Sequence, residues 1–260
     1  MTGEARVDQA HKSAAGEIYT EIRRLILSGD LRAGQSLKVA TLHKQFGFSA
    51  TPLREALNRL CAEHLVVNAF NQGFSVAPIS LEELEDLGQI RLALEVDMLK
   101  ASMREGGEDW ESRIVAAQYQ LSKWSTPEIS WDPEIFEQWD TRHRNFHSAL
   151  TSGCLSIWMN RMMEQVETQL TRYHSNILSR ARRLAKEQPE LEQRINQLLA
   201  DVMGLEVHTP LMKATLDRDE KAAARLMRDH IQMTSDVFQS IQVLFPESLE
   251  TEPNSKEMSR

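Results

Sequence analysis

The chain of 260 residues reads as mainly α: a small three-helix unit closed by a β-hairpin, then an antiparallel all-α bundle. Three observations predict this. Apolar residues recur at i, i+3 and i+4 spacing through most of the chain. Residues 65–76 break that rhythm with two short extended runs around an Asn/Gly turn. From Leu81 onward the helical period returns with few interruptions, as in a helical bundle.

The elements follow in order. Residues 1–14 read as a flexible arm, because Met1–Ser13 is polar and holds no hydrophobic signal core. Glu17–Ser28 sets Ile18, Tyr19, Ile22, Leu25 and Ile26 at helical spacing, and Gly29 ends that helix. After the turn Leu31-Arg32-Ala33-Gly34, a second helix presents Val39, Leu42 and Phe46, and Gly47 forms a tight connection. The third helix opens at Ser49-Ala50-Thr51-Pro52. Ser49 or Thr51 can cap it, and proline is tolerated in a first turn. Leu53, Leu57, Leu60 and Cys61 share one buried face at i, i+4, i+7, i+8 spacing. Thr51, Arg54, Asn58 and Arg59 fall on other faces. They are short polar and guanidinium groups that reach phosphates and base edges. Leu65–Val67 and Phe74–Val76 flank the turn Asn68–Gly73 as a hairpin. Three helices and a hairpin in this order predict a winged helix-turn-helix over residues 15–78, a unit that binds duplex DNA.

Pro78 and Ser80 mark a short junction, and residues 79–245 form the bundle. Ser80 with Glu83 resembles a capping box. Leu81, Leu84, Leu87, Ile90, Leu94, Met98 and Ala101 make the stripe of a long helix ending near Gly106-Gly107. Further helices are expected over Asp109–Trp124, Glu134–Gly153, Ser156–Arg180, Pro189–Ala214 with a kink near Gly204, and Asp219–Leu244. The polar tail, residues 246–260, is expected to be disordered.

Composition bounds the function. The net charge is −8, yet the first 78 residues carry 9 Lys/Arg against 7 Asp/Glu and the remainder 21 against 31. The acidic remainder avoids DNA, while the mildly basic head tolerates it. So small a positive balance gives modest non-specific affinity, so tight binding calls for a dimer. No apolar run reaches membrane-spanning length. Cys61 and Cys154 lie in different units and read as cytosolic thiols, consistent with a cytoplasmic protein. No Ser-centred elbow, P-loop or Gly-rich nucleotide motif is present.

Four histidines stand out in the bundle. His143 and His147 share a helix face at i, i+4, and His208 and His230 lie on two later helices. Imidazole suits Zn²⁺, Ni²⁺ or Fe²⁺. The same spacing also arises by chance, with histidines that are merely solvated or in the core. A metal-dependent hydrolase needs Glu directly after the first His as general base, and Arg144 stands there.

The order Ile18-Tyr19, Ile22, Ile26, Gly29, Leu31, Gly34, Leu37, Phe46-Gly47, Thr51-Pro52-Leu53-Arg54-Glu55-Ala56-Leu57 and Gly73-Phe74-Ser75-Val76 resembles the GntR family of bacterial transcription regulators. The resemblance implies Ser49, Thr51, Pro52, Arg54, Asn58, Arg59 and Gly73 as the DNA-contacting set. The family usually carries Ser-Arg-Thr-Pro at the helix start, and here Ala50 takes the Arg position. That departure implies a different operator sequence. Arg144–Leu150, Val207-His208 and Met227–His230 resemble the FCD ligand-binding domain of the FadR branch. That likeness implies a divalent metal, Zn or Ni, on His147, His208 and His230. His143 stands in the position usually held by Asp, and Asp140 one turn earlier is a weaker substitute. Arg91 and Glu95 match the domain's Arg-x-x-x-Glu, which implies Arg91 as a carboxylate clamp; the same two residues also fit an ordinary i, i+4 ion pair. Arg172 and Tyr173 are further effector-binding candidates, and Arg180, Arg182 and Arg183 read as a solvated helix end. Gly106–Glu111 and Trp139–His147 resemble a subgroup near a carbon-starvation-induced, glutarate-responsive regulator, which implies a dicarboxylate effector. The expectation is a homodimeric repressor of operator DNA, answering to a small mono- or dicarboxylate. Its rivals are a metal-dependent hydrolase and an architectural DNA-binding protein without an effector.

Overall fold

The computed structural model describes residues 3–70, 73–186 and 188–244, with side chains from residue 14 onward. Helix α1 spans Gly3–Leu27, α2 Val39–Phe46 and α3 Ala50–Ala62. Strands β1 (Val66–Ala69) and β2 (Gly73–Val76) pair antiparallel, with Val66 opposite Val76. The bundle comprises α4 (Leu81–Glu105), α5 (Glu108–Leu121), α6 (Pro133–Thr151), α7 (Ile157–Ala185), α8 (Pro189–Met203), α9 (Leu205–Leu216) and α10 (Glu220–Val243).

Helix α1 starts at Gly3, so its backbone runs through most of the segment expected as a flexible arm. Ala5, Gln9, Lys12, Ala14 and Ala15 there are good helix formers. The tail expected over residues 246–260, and Asn71 and Gln72 within the expected hairpin turn, lie outside the described residues.

Each half forms a core of its own. In the head, Ile18, Ile22 and Ile26 of α1 pack on Leu53, Leu57 and Leu60 of α3, with Leu37, Leu65 and Val76 closing the layer. Gly47 ends α2 at φ 74°, the left-handed turn that lets the chain re-enter α3. In the bundle, α4 and α10 pack along each other and α7 lies against α4. Leu99, Phe146, Leu170, Met227 and Phe238 belong to the shared interior.

The helix expected over Pro189–Ala214 is two helices. Gly204 is extended, at φ −70° and ψ 156°, and serves as the end of α8 and the start of α9. The Ser80–Glu83 capping box forms by half. Ser80 Oγ accepts from the Glu83 amide at 3.1 Å. The Ser80 amide instead donates to Tyr173 Oη at 3.1 Å, and Tyr173 Oη donates to the Glu83 carboxylate. Of the basic cluster Arg180, Arg182 and Arg183, the last is exposed in the final turn as expected, and the other two are not freely solvated. Helix α7 continues to Ala185, Arg180 is buried, and Arg182 Nε donates to the Ile129 carbonyl at 3.0 Å.

Candidate metal centre and DNA-binding face

On the head, Ser49 occupies the cap position of α3, but its hydroxyl makes no capping bond. Ser49, Thr51, Arg54, Asn58 and Arg59 are all exposed on one outer face of α3, while Pro52 is buried with Leu53. Pro52 therefore shapes the helix start from inside the head rather than presenting itself to a groove. Arg59 turns back, its guanidinium 4.0 Å from the centre of the Tyr19 ring on α1. Arg54 is thus the exposed α3 guanidinium not stacked on an aromatic ring. Gly73 opens β2 at φ +77° and is exposed. Thr41, His43, Lys44 and Gln45 of α2 are exposed too, and sequence reasoning did not single them out.

In the bundle, three elements bring the four imidazoles together. His143 and His147 come from α6, His208 from α9 and His230 from α10, and their ring nitrogens lie within 4.8 Å of one another. His143 Nε2 is 2.8 Å from His208 Nε2 and 3.3 Å from His147 Nε2. A tetrahedral ion with bonds of ~2.0–2.1 Å holds its donor atoms ~3.3 Å apart. The cluster is near that size already. His208 Nδ1 sits 2.6 Å from the Gly204 carbonyl, and His147 Nδ1 sits 3.2 Å from Glu95 Oε1. An oxygen on Nδ1 fixes the proton there and leaves Nε2 as a lone-pair donor facing the cluster. His230 is buried, and among the described residues neither of its nitrogens has a hydrogen-bond partner. A buried imidazole without partners is costly, and a cation among the four rings removes that cost. The residues fit a divalent ion with nitrogen ligands.

Electrostatics support that fit. Burial, then the neighbouring imidazoles, hold His143 and His230 well below the ordinary histidine pKa. Burial and the His147 ring push His208 down to about 3. These rings are neutral at physiological pH, the state that binds metal. Burial alone would raise the Glu95 carboxyl, but the Arg91 charge and the His147 hydrogen bond bring it down to about 2. Arg91 Nε donates to Glu95 Oε2 at 2.7 Å. The i, i+4 pair is therefore real, and Glu95 links it to a candidate ligand. Glu95 therefore stands between Arg91 and His147, bonded to each through a different oxygen. Asp140 pairs with Arg144 at 2.8 Å and is not among the clustered donors.

Arg172 and Tyr173 are elsewhere. Arg172 is 1% exposed, and its Nη1 donates to the Ala77 carbonyl at 2.9 Å and the Pro78 carbonyl at 2.7 Å. Together with Tyr173 on Ser80 and Glu83, it binds the junction between head and bundle. His174, next on α7, stacks on Phe238 of α10 at 3.7 Å between ring centres, and burial with the Arg91 charge takes it down to about 3. Sequence reasoning missed this ring, whose isolated position on a long helix carries no spacing signal.

Comparison with known proteins agrees with both halves. The model for bacterial regulatory proteins of the gntR family matches residues 14–76, and the FCD domain model matches residues 86–233. The chain is 30% identical over 226 residues to the HTH-type transcriptional regulator BphR of Paraburkholderia xenovorans, covering 87% of this chain and 85% of that one. It is 30% identical over 213 residues to the HTH-type transcriptional repressor GlaR of Escherichia coli, covering 82% of this chain and 90% of that one. The structure of E. coli McbR/YncC superposes with a TM-score of 0.63 at 18% identity, over 87% of this chain and 97% of that one. That likeness speaks to the fold. Among the described residues, no helix is long and apolar enough to cross a membrane. With a DNA-binding head, a helical second domain and relatives that are transcription regulators rather than enzymes, the chain belongs to the GntR family of bacterial regulatory proteins and carries an FCD domain.

Proposed function

We propose that this regulator is a homodimeric repressor whose grip on palindromic operator DNA is set by a small organic acid bound beside a divalent metal. The observation that carries the reading is the convergence of His143, His147, His208 and His230 within 4.8 Å, with His230 lacking a hydrogen-bond partner among the described residues. A bound cation supplies an electrophilic charge for a carboxylate. Imidazole ligands bring no negative charge to the cation, which favours an anionic effector. Zn²⁺ or Ni²⁺ suits such a donor set better than Mg²⁺ or Ca²⁺, which prefer oxygen. Arg91 stands by to pair with a second carboxylate, in exchange for Glu95. GlaR, a relative, is named a repressor, which supports repression here. Pairing is supported by Leu155, Ile157, Trp158 and Met162, exposed apolar residues at and just before the start of α7 that a second copy would cover.

Metal analysis and thermal melting test the proposal. Full-length protein supplemented with zinc or nickel is expected to retain metal, and small mono- and dicarboxylates are expected to raise its melting temperature. His208→Ala is expected to lose the metal and the carboxylate response while the head stays folded. Full metal retention in that variant would falsify the ligand set. A wild-type chain that takes up no metal and answers to no acid would leave only an architectural DNA-binding role.

A further inference from the structure

The head sits on α7 through a row of polar contacts. Thr168 Oγ1 accepts from Arg23 Nη2 at 3.2 Å, and Gln169 Nε2 donates to the Glu63 carbonyl at 2.7 Å. Arg172 reaches the Ala77 and Pro78 carbonyls, and Asn176 Oδ1 accepts from the Ala33 amide at 2.9 Å. Thr168, Arg172 and Asn176 recur every four positions, with Gln169 beside Thr168, so they form one stripe along α7. Packing is tight as well. A Cβ added at Gly29 would lie 3.1 Å from the Ser175 carbonyl oxygen.

Within that stripe Arg172 is singular. It is a buried cation, and it grips two successive carbonyls at the point where the hairpin gives way to α4. Its Nη2 lies 3.7 Å from Glu83 Oε2, and Nε donates to Gln169 Oε1 at 3.0 Å. A planar guanidinium held on several sides fixes direction as well as distance. The Pro78–Ser80 junction is thus clamped rather than loose.

We infer that Arg172 is the positioning residue that sets the stance of the head on the bundle, and with it the half-site spacing an operator must have. The inference rests on the dimer reading above. If two chains pair through their bundles, the two α3 helices are presented at a separation and rotation that the clamp sets. One added base pair moves a half-site by about 3.4 Å and turns it by roughly 36°. A clamped head cannot follow that movement, whereas a head on a free junction can.

The test uses the full-length chain loaded with zinc and a half-site recovered from a randomised duplex library by the wild-type protein. Duplexes carry two such half-sites at the preferred spacing and at one or two base pairs shorter or longer. Wild type is expected to lose on the order of 10²-fold in affinity away from its preferred spacing, as the second contact is forfeited. Arg172→Gln is expected to flatten that profile while its affinity for an isolated half-site and its zinc content stay at wild-type level. A residue of purely structural importance would instead weaken binding at every spacing equally. Arg172→Lys and Tyr173→Phe, milder changes at the same junction, are expected to flatten it partially and serve if Arg172→Gln does not fold. A folded variant set that keeps the wild-type spacing profile overturns the inference and leaves the dimer intact. A wild-type chain indifferent to spacing overturns the dimer reading and the inference together.

Discussion

Arg54 carries the plainest consequence at the scale of one residue. It is exposed on α3, and Arg59 is occupied with Tyr19. With Ala50 in place of the family's usual Arg, Arg54→Ala is expected to weaken operator binding by about 1–3 kcal/mol if it reads a base edge. If it contacts only phosphate, affinity falls uniformly across sequences and the salt slope shrinks. Titrations at two salt concentrations on operator and unrelated duplexes separate these cases, and unchanged affinity on both would remove Arg54 from the interface. The four clustered histidines are legible in the amino-acid sequence, the first two through their i, i+4 spacing and the later two through the resemblance to the FCD domain. Arg172 is not. Its partners are the main-chain oxygens of Ala77 and Pro78, 95 and 94 positions away. Carbonyls are present at every residue and leave no mark in a sequence, so sequence reasoning assigns the residue to the effector site instead.

At the scale of elements, helix existence is legible throughout and helix ends less so. The break at Gly204 shows why. A glycine in a helical run costs ~1 kcal/mol relative to alanine and need not break it. Here the extended backbone both separates α8 from α9 and aims its carbonyl at His208 Nδ1. That second role belongs to three-dimensional placement. Gly29 makes the packing of α1 on α7 testable. Its φ of +79° and the 3.1 Å approach to the Ser175 carbonyl both resist a side chain. Gly29→Ala is expected to destabilise the protein by about 1–2 kcal/mol in urea unfolding. A variant with the wild-type midpoint would mean that head and bundle are less closely seated than they stand here.

For the whole molecule, the buried rings give stability a pH dependence of definite sign. His208 and His174 are both held down to about 3. Unfolded histidine titrates near 6.5, so the unfolded chain takes up protons first. The stability these neutral rings contribute is complete above pH 6.5 and is lost as pH falls from there toward 3. Each such group costs up to about 1.4 kcal/mol per pH unit within that window. Metal-free protein is expected to melt progressively lower between pH 7.5 and 5.5, and bound metal to delay the loss because protons must then displace it. A flat melting temperature across that range would show that the rings are solvated.

The docking of the head also has a bearing on how such proteins diversify. Glu63, Ala77 and Pro78 are held by their carbonyls, and Ala33 and Ser80 by their amides. Backbone groups are common to all amino acids. The outward residues of α3 are therefore free to drift toward new gene targets without loosening the seat, and a foreign head tracing the same path would need to match it chiefly at Arg23 and Gly29.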